Sequence, residues 1–272
     1  MAKNSGIAWT DDTANFWWGC VKVSPGCENC YAETLSKRVG MDIWGPAKTT
    51  QREYKKAVWR DLIKWDRESR ESGTRRKVFV QSMSDFLEDH PQVVDWREEA
   101  KRLMVSLTNT DILMLTKRPE NAERFLGDWF KNWPAHVWFG VSTENQEMAD
   151  KRIPLLLQVP AQVLWLSVEP QLGLIDLRKY LFPVSTVSWG SGYDDWDFDV
   201  DPSPINWVVV GGESGVHCRP FDIEWARELR QECAEAEVAF FMKQLGGHPD
   251  KRHNLEQFPE DLRVREFPRV EV

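Results

Sequence analysis

Cys20, Cys27 and Cys30 fall within eleven residues, in the stretch WWGCVKVSPGCENCY, and bring three thiols into one short loop. Six residues separate the first two and two separate the second pair, with Pro25 and Gly26 supplying a turn between them. Iron–sulfur clusters and structural zinc sites as a rule take four protein ligands. Three thiolates therefore predict a metal centre with one position left for a substrate or cofactor. Five cysteines are an odd number, and a reducing compartment disfavours a disulfide framework, so metal binding or catalysis is left to the clustered three. Cys233 sits in the stripe Ile223, Ala226, Leu229, Cys233 of a predicted helix and reads as a small buried hydrophobe. Cys218 lies in a loop beyond a glycine-rich turn. His90 and His217 are further potential metal ligands, although an isolated loop histidine is usually solvated.

The elements that must position this loop are read from short apolar runs: Phe16 to Cys20, Val78 to Ser82, Ile112 to Thr116, Val137 to Val141, Val163 to Val168, Trp207 to Val210 and Ala239 to Met242. Each is four to six residues long and rich in Val, Ile, Phe or Trp, as expected of parallel strands buried on both faces. Between them lie helical stripes such as Val93, Trp96, Ala100, Leu103, Met104 and Leu107. Repeated strand–helix units predict an α/β fold, either an open doubly wound sheet or a partial or complete parallel β/α barrel. The expected division is an N-terminal arm over 1–14, a barrel domain over 15–247 with an insertion at about 171–204, and a C-terminal tail over 248–272. The insertion carries Trp189, Tyr193, Asp194, Asp195, Trp196, Asp197, Asp199 and Asp201. It lacks the glycine and terminal glutamate of a calcium loop and reads as a solvated acidic loop or lid.

Each run ends in polar residues: Ser82, Ser84 and Asp85; Thr116, Lys117 and Arg118; Ser142, Thr143, Glu144 and Asn145; Ser167 and Glu169; Glu213 and Ser214; Lys243 and Gln244. The carboxyl ends of parallel strands form the functional face of such folds, so these residues predict a polar, charge-balanced pocket onto which the cysteine loop opens. Lys117 and Arg118 are placed to meet an anion. Glu169 or Asp85 suits ribose hydroxyls or a cation, and Tyr31 stands beside the last cysteine.

A formal net charge of -8 argues against coating duplex nucleic acid through bulk charge. The one basic region, Lys48 to Lys77, reads mainly as a salt-bridged helix, with polyanion contact as the minor alternative. The start of the chain lacks the apolar core of a signal peptide, and no run approaches the ~20 apolar residues that cross a bilayer, so a cytoplasmic location is expected.

The ordered motifs GCVKVSPGCENCYAE, QSMSDF, LTKRPE, FGVSTENQ, LSVEPQLG, VVVGGESG and FFMKQLGG run from about Trp17 to Gly247. With them the chain resembles the phage-associated three-cysteine-motif family, a radical-SAM-like group distantly related to spore photoproduct lyase. The resemblance implies a TIM-like barrel with a 4Fe-4S cluster on Cys20, Cys27 and Cys30 at the carboxyl ends of the strands. It further implies S-adenosylmethionine on the open iron, a reductant such as flavodoxin or ferredoxin, and a nucleobase, nucleotide or nucleic acid as substrate. Gly211, Gly212 and Glu213 resemble the element that holds the methionine end of that cofactor, although here it follows a late strand. Cofactor contacts are expected from Ser82, Ser84, Asp85, Lys117, Ser142, Glu169, Gly211, Gly212, Glu213, Ser214 and Lys243. Tyr31, Lys117 and Glu169 are the catalytic candidates. Two other readings use the same loop: a zinc-binding module closed by His90, His217 or Cys218, and a cluster enzyme that cleaves S-adenosylmethionine without a free radical.

Overall fold

The computed structural model describes residues 2–3, 5–182, 204–215, 217–247 and 252–270. The acidic aromatic segment falls outside the described residues, apart from the start of the expected insertion. Ten strands are described: β1 (Ala2–Lys3), β2 (Asp12–Ala14), β3 (Trp17–Trp18), β4 (Glu53–Tyr54), β5 (Arg76–Val80), β6 (Thr110–Thr116), β7 (Val137–Ser142), β8 (Leu164–Val168), β9 (Trp207–Gly211) and β10 (Ala239–Gln244). The helices are α1 (Tyr31–Arg38), α2 (Ala57–Ser72), α3 (Val94–Ser106), α4 (Ala122–Leu126), α5 (Gln146–Leu156), α6 (Arg178–Leu181) and α7 (Ile223–Glu235). The main sheet runs β1-β2-β5-β6-β7-β8-β9-β10 and is parallel from β2 to β10. These seven parallel strands curl into a half-barrel, and β1 is added antiparallel at the edge.

The pleat sorts the strand residues onto two faces. Val78, Val80, Ile112, Met114, Phe139, Leu166, Val208 and Met242 face the helix layer and form one core with α2, α3, α5 and α7. The alternate residues Phe79, Leu113, Trp138, Trp165, Trp207, Val209 and Phe241 turn inward and close around Trp9. The rings of Trp9 and Trp165 are 5.2 Å apart and those of Trp165 and Trp207 5.4 Å. Gly140 makes this layer fit, because a Cβ there would stand 2.4 Å from the Trp165 ring. Tryptophan thus fills the lower part of the half-barrel and leaves its upper part to the polar strand ends.

Six of the seven expected runs coincide with strands of the parallel sheet. Phe16 to Cys20 holds β3, which lies outside that sheet, and the strand that opens the parallel sheet is β2, inside the expected arm. The chain leaves the sheet at Asn15, whose side-chain Oδ1 accepts from Met83 N at 2.7 Å, and Trp17 N then donates to Gln81 Oε1 at 3.2 Å. Trp17 and Trp18 pair with β4 instead. At the far edge Met242 N donates to Val264 O and Glu266 N to Phe240 O, so the expected tail lies along β10 and covers its open side. In the basic region Lys64 pairs with Glu68, Arg67 with Glu71 and Arg52 with Glu88, which agrees with the salt-bridged reading. Among the described residues no helix is long and apolar enough to cross a membrane.

Candidate functional site

Carried two residues further, the inward stripe of each strand passes from tryptophan to polar groups. Lys117 follows Leu113 and Leu115, Ser142 follows Trp138 and Gly140, Ser167 and Glu169 follow Trp165, and Lys243 follows Phe241. These residues wall a cavity of about 270 Å³ whose apolar lining includes Trp9, Phe79 and Leu115. Cys20, Cys27, Cys30, Tyr31, Ser82, Ser84, Asp85, Glu213 and Ser214 also line it, so expected residues from six strand ends and one loop meet at one place. Gly211 and Gly212 do not line it.

The cysteine loop is tied down at several points. Pro25–Cys27 form a 3-10 turn, with Cys27 N donating to Ser24 O at 2.9 Å, and Cys30 begins α1 by accepting from Thr34 N at 3.1 Å. Arg118 clamps the start: Nη2 donates to Val21 O at 2.6 Å, and both Nη1 and Nη2 lie 3.6 Å from Cys20 Sγ. Glu144 holds the turn: Oε1 accepts from Gly26 N at 3.0 Å while Oε2 pairs with buried Arg152 at 2.8 Å. A side chain at residue 26 would collide with this carboxylate, its Cβ only 2.9 Å from Glu144 Cδ. Arg219 secures the far end, donating to Pro25 O at 3.0 Å and pairing with Glu28 at 2.9 Å and Glu213 at 2.6 Å. Tyr31 Oη donates to Ser82 O at 2.8 Å, which anchors α1 to the β5 end.

Several expected ligand contacts are engaged within the protein. Asp85 accepts from Thr116 Oγ1, Lys117 N, Arg118 Nη1 and Leu87 N, at 2.7, 2.9, 2.9 and 3.0 Å, which leaves little of its carboxylate for a ribose. Glu213 accepts from Asn29 Nδ2 as well as from Arg219, so it straps the cysteine loop. Gly212 is glycine because its Cα packs on backbone, where a Cβ would lie 2.9 Å from Gly246 N. Ser84 Oγ donates to Trp17 O and Ser82 shares a hydrogen bond with Asn15. Arg118 is engaged by a thiol and a carboxylate within the protein. His90 is buried, with Nδ1 accepting from Gln92 N and Nε2 at 3.2 Å from Thr50 O, so both ring nitrogens are occupied away from the cavity. Neither His217 nor Cys218 lines the cavity.

Other groups stay available. Lys243 Nζ meets Glu169 Oε2 at 2.6 Å, giving the wall a paired donor and acceptor. Lys117 Nζ donates to Ser142 Oγ at 3.0 Å, and among the described residues no carboxylate stands within salt-bridge distance of it. Burial pushes the Cys20 thiol up to about 12, with Arg118 opposing the shift in part, and burial likewise raises Cys30. Both are neutral thiols near pH 7, so a metal centre formed on them releases protons as it binds. Burial raises the acids of Asp85 and Glu144 too, but there the neighbouring guanidiniums of Arg118 and Arg152 and the N–H donors prevail and hold both below the usual carboxylate range. Among the described residues no three His, Cys, Asp or Glu side chains are drawn together tightly enough for a single metal ion. A four-iron cluster asks for no such group, because each thiolate binds a separate iron.

Asn29, Gln81, Trp9 and Arg219 belong to the site without being among its expected residues, although Asn29 and Gln81 lie within the quoted motifs. Asn29 sits inside the cysteine spacing and Arg219 one residue beyond Cys218, where a polar residue inside a motif and a cation near GGESG could have marked them. Gln81 is the first residue beyond β5, and Trp9 belongs to no apolar run. No curated protein and no solved structure matches the chain. A family model described as protein of unknown function (DUF5131) matches residues 4–266, and the chain belongs to that family.

Proposed function

We propose that the chain holds a 4Fe-4S cluster on Cys20, Cys27 and Cys30 and binds S-adenosylmethionine in the adjoining cavity, as a radical-SAM-type enzyme on a TIM-like partial barrel. One observation carries this reading: three free thiols of a single loop line the same cavity, at the carboxyl ends of parallel strands, as Lys117, an ammonium with no carboxylate within salt-bridge distance among the described residues. The donor set suits the group, since three thiols leave one iron for a ligand that brings its own amine and carboxylate. Cys20, Cys27 and Cys30 would hold the cluster, which would supply one-electron reduction of the sulfonium and so radical chemistry at an unreactive carbon.

The chain's own residues bind, orient and exclude water. Lys117 offers a charge-assisted hydrogen bond to a carboxylate. Glu169 and Lys243 offer an acceptor and a donor to polar substituents. Trp9, Phe79 and Leu115 give an apolar boundary that keeps solvent from the reacting atoms. Glu144, Arg118 and Arg219 hold the cysteine loop in place before anything binds.

Anaerobic purification with iron and sulfide analysis tests the proposal. About four irons and four sulfides per chain are expected, lost together in Cys27→Ala; a colourless protein with stoichiometric zinc would sink it. Reduction by dithionite, or by a flavodoxin- or ferredoxin-type donor, with S-adenosylmethionine should then release 5'-deoxyadenosine. Release of a different fragment would identify cleavage at another carbon–sulfur bond. Nucleotides, single strands and duplexes are the substrate panel, read as changes in that cleavage rate.

A further inference from the structure

We propose that Arg118 sets the reduction potential of the cluster by acting through the sulfur of Cys20, with Asp85 as the counterweight behind it. The inference rests on the reading that Cys20, Cys27 and Cys30 hold a cluster. Both terminal nitrogens of Arg118 lie 3.6 Å from Cys20 Sγ. The side chain is 6% exposed and fixed from behind by Asp85 Oδ2 at 2.9 Å and from the side by Val21 O. Its position is therefore set by the protein and not by a ligand. The contact is also asymmetric. Cys27 Sγ lies 3.9 Å from the Ser24 hydroxyl, and Cys30 receives backbone N–H donors and feels Lys117 through space, so among the described residues a cation is in hydrogen-bond contact with the first sulfur alone.

Reduction adds negative charge to a cluster, and hydrogen bonds and charges at its sulfurs are among the main levers on its potential. In a buried setting a guanidinium at contact distance acts with little solvent screening. Arg118 favours the reduced form, and Asp85 takes part of that effect away. Arg118 is a positioning residue here, acting on the cluster through Cys20, and the sign of its effect separates this role from a purely structural one.

The test is a dithionite redox titration of the anaerobically loaded protein, followed by visible absorption and by electron paramagnetic resonance of the reduced state. Arg118→Gln should disfavour reduction at least tenfold, a fall of about 59 mV for one electron. Asp85→Asn keeps the cation and removes its counterweight, and should move the potential the opposite way. Arg118→Lys keeps the charge and should stay nearer the wild type than Arg118→Gln. Loaded variants with the wild-type potential would overturn the inference, and so would shifts of the same sign in Arg118→Gln and Asp85→Asn. If Arg118→Gln loses its cluster, the two variants that keep the cation decide, and loss in both counts against a role of charge. A wild-type chain that carries no iron or sulfide overturns the functional reading itself, an outcome separate from a loaded chain whose potential ignores Arg118.

Discussion

Glu144 was expected only as one of several polar residues at the end of a strand, yet the structure gives it two partners far apart in the chain. Its carboxylate accepts from Gly26 N in the cysteine loop and pairs with Arg152 on α5, and the ion pair is essentially buried, the side chains 0% and 3% exposed. Glu144→Gln preserves shape but leaves one oxygen for two donors and removes the charge facing Arg152. Breaking a buried pair by neutralising one partner costs 3–5 kcal/mol when the other charge is stranded. Arg152 Nη1 also donates to Ser142 O at 2.8 Å, which places the expected loss at the low end, about 3 kcal/mol. For a chain of this size that lowers Tm by roughly 6–12 °C.

Urea unfolding followed by tryptophan fluorescence measures the loss, and iron content after identical reconstitution measures its effect on the cysteine loop. The double variant Glu144→Gln/Arg152→Met removes the stranded charge and should recover part of the stability, with a coupling of at least about 1 kcal/mol for residues in direct contact. Glu144→Gln within about 0.5 kcal/mol of wild type, the range of an ordinary surface substitution, would refute the argument. So would a double variant no better than the sum of its single changes.

Three further outcomes follow from the same geometry. Asp85 and Glu144 are held below their ordinary carboxylate range, so each adds stability in full above its unfolded value near 4 and loses it as pH falls through the lower folded value. Unfolding free energy should therefore drop on acidification below about pH 4, less steeply in Glu144→Gln, and an identical slope in that variant would contradict the assignment. Gly140→Ala drives a Cβ into the Trp165 ring and should cost about 1–3 kcal/mol, seen as a lower urea midpoint with an unchanged slope. Lys117→Met should weaken S-adenosylmethionine binding by roughly 10- to 100-fold, the loss of one hydrogen bond to a charged group, measured by calorimetry on the loaded protein, whereas Cys218→Ala should leave iron content at the wild-type level.

The sheet was legible because runs buried on both faces are continuous in sequence, and the polar residue closing each run marks the end of a strand. The first strand was not, for a physical reason. Asp12, Thr13 and Ala14 make a short and polar triplet, yet all three are buried because Arg76 pairs with Asp12 at 2.8 Å and β5 covers the backbone. The neighbouring Phe16 and Trp17 look more strand-like but are buried beyond the end of the sheet by aromatic packing on Phe86. Local hydrophobicity reports burial and not which element does the burying.

For the site, residue type and position at a strand end identified most of the cavity wall, but not which charges are spent. Asp85, Glu169 and Glu213 look alike in sequence, each a carboxylate beside a small or stiff residue. Their partners decide their roles, and one partner is 33 residues away, another 74. Of the cations on the cavity wall, Lys22 pairs with Glu33, Arg118 with Asp85 and Lys243 with Glu169. Among the described residues Lys117 has no carboxylate within salt-bridge distance, and it stands close enough to Cys30 for its charge to pull that thiol down against the effect of burial. A half-buried ammonium with only a hydroxyl partner is open to a charge-assisted hydrogen bond from an anion that joins it. The proposed centre would supply that anion twice over, through thiolates that bring net negative charge to a cluster and through the carboxylate of its cofactor. An ammonium facing the cavity without a salt-bridge partner among the described residues is thus an argument for an anionic ligand that does not depend on the cysteine spacing.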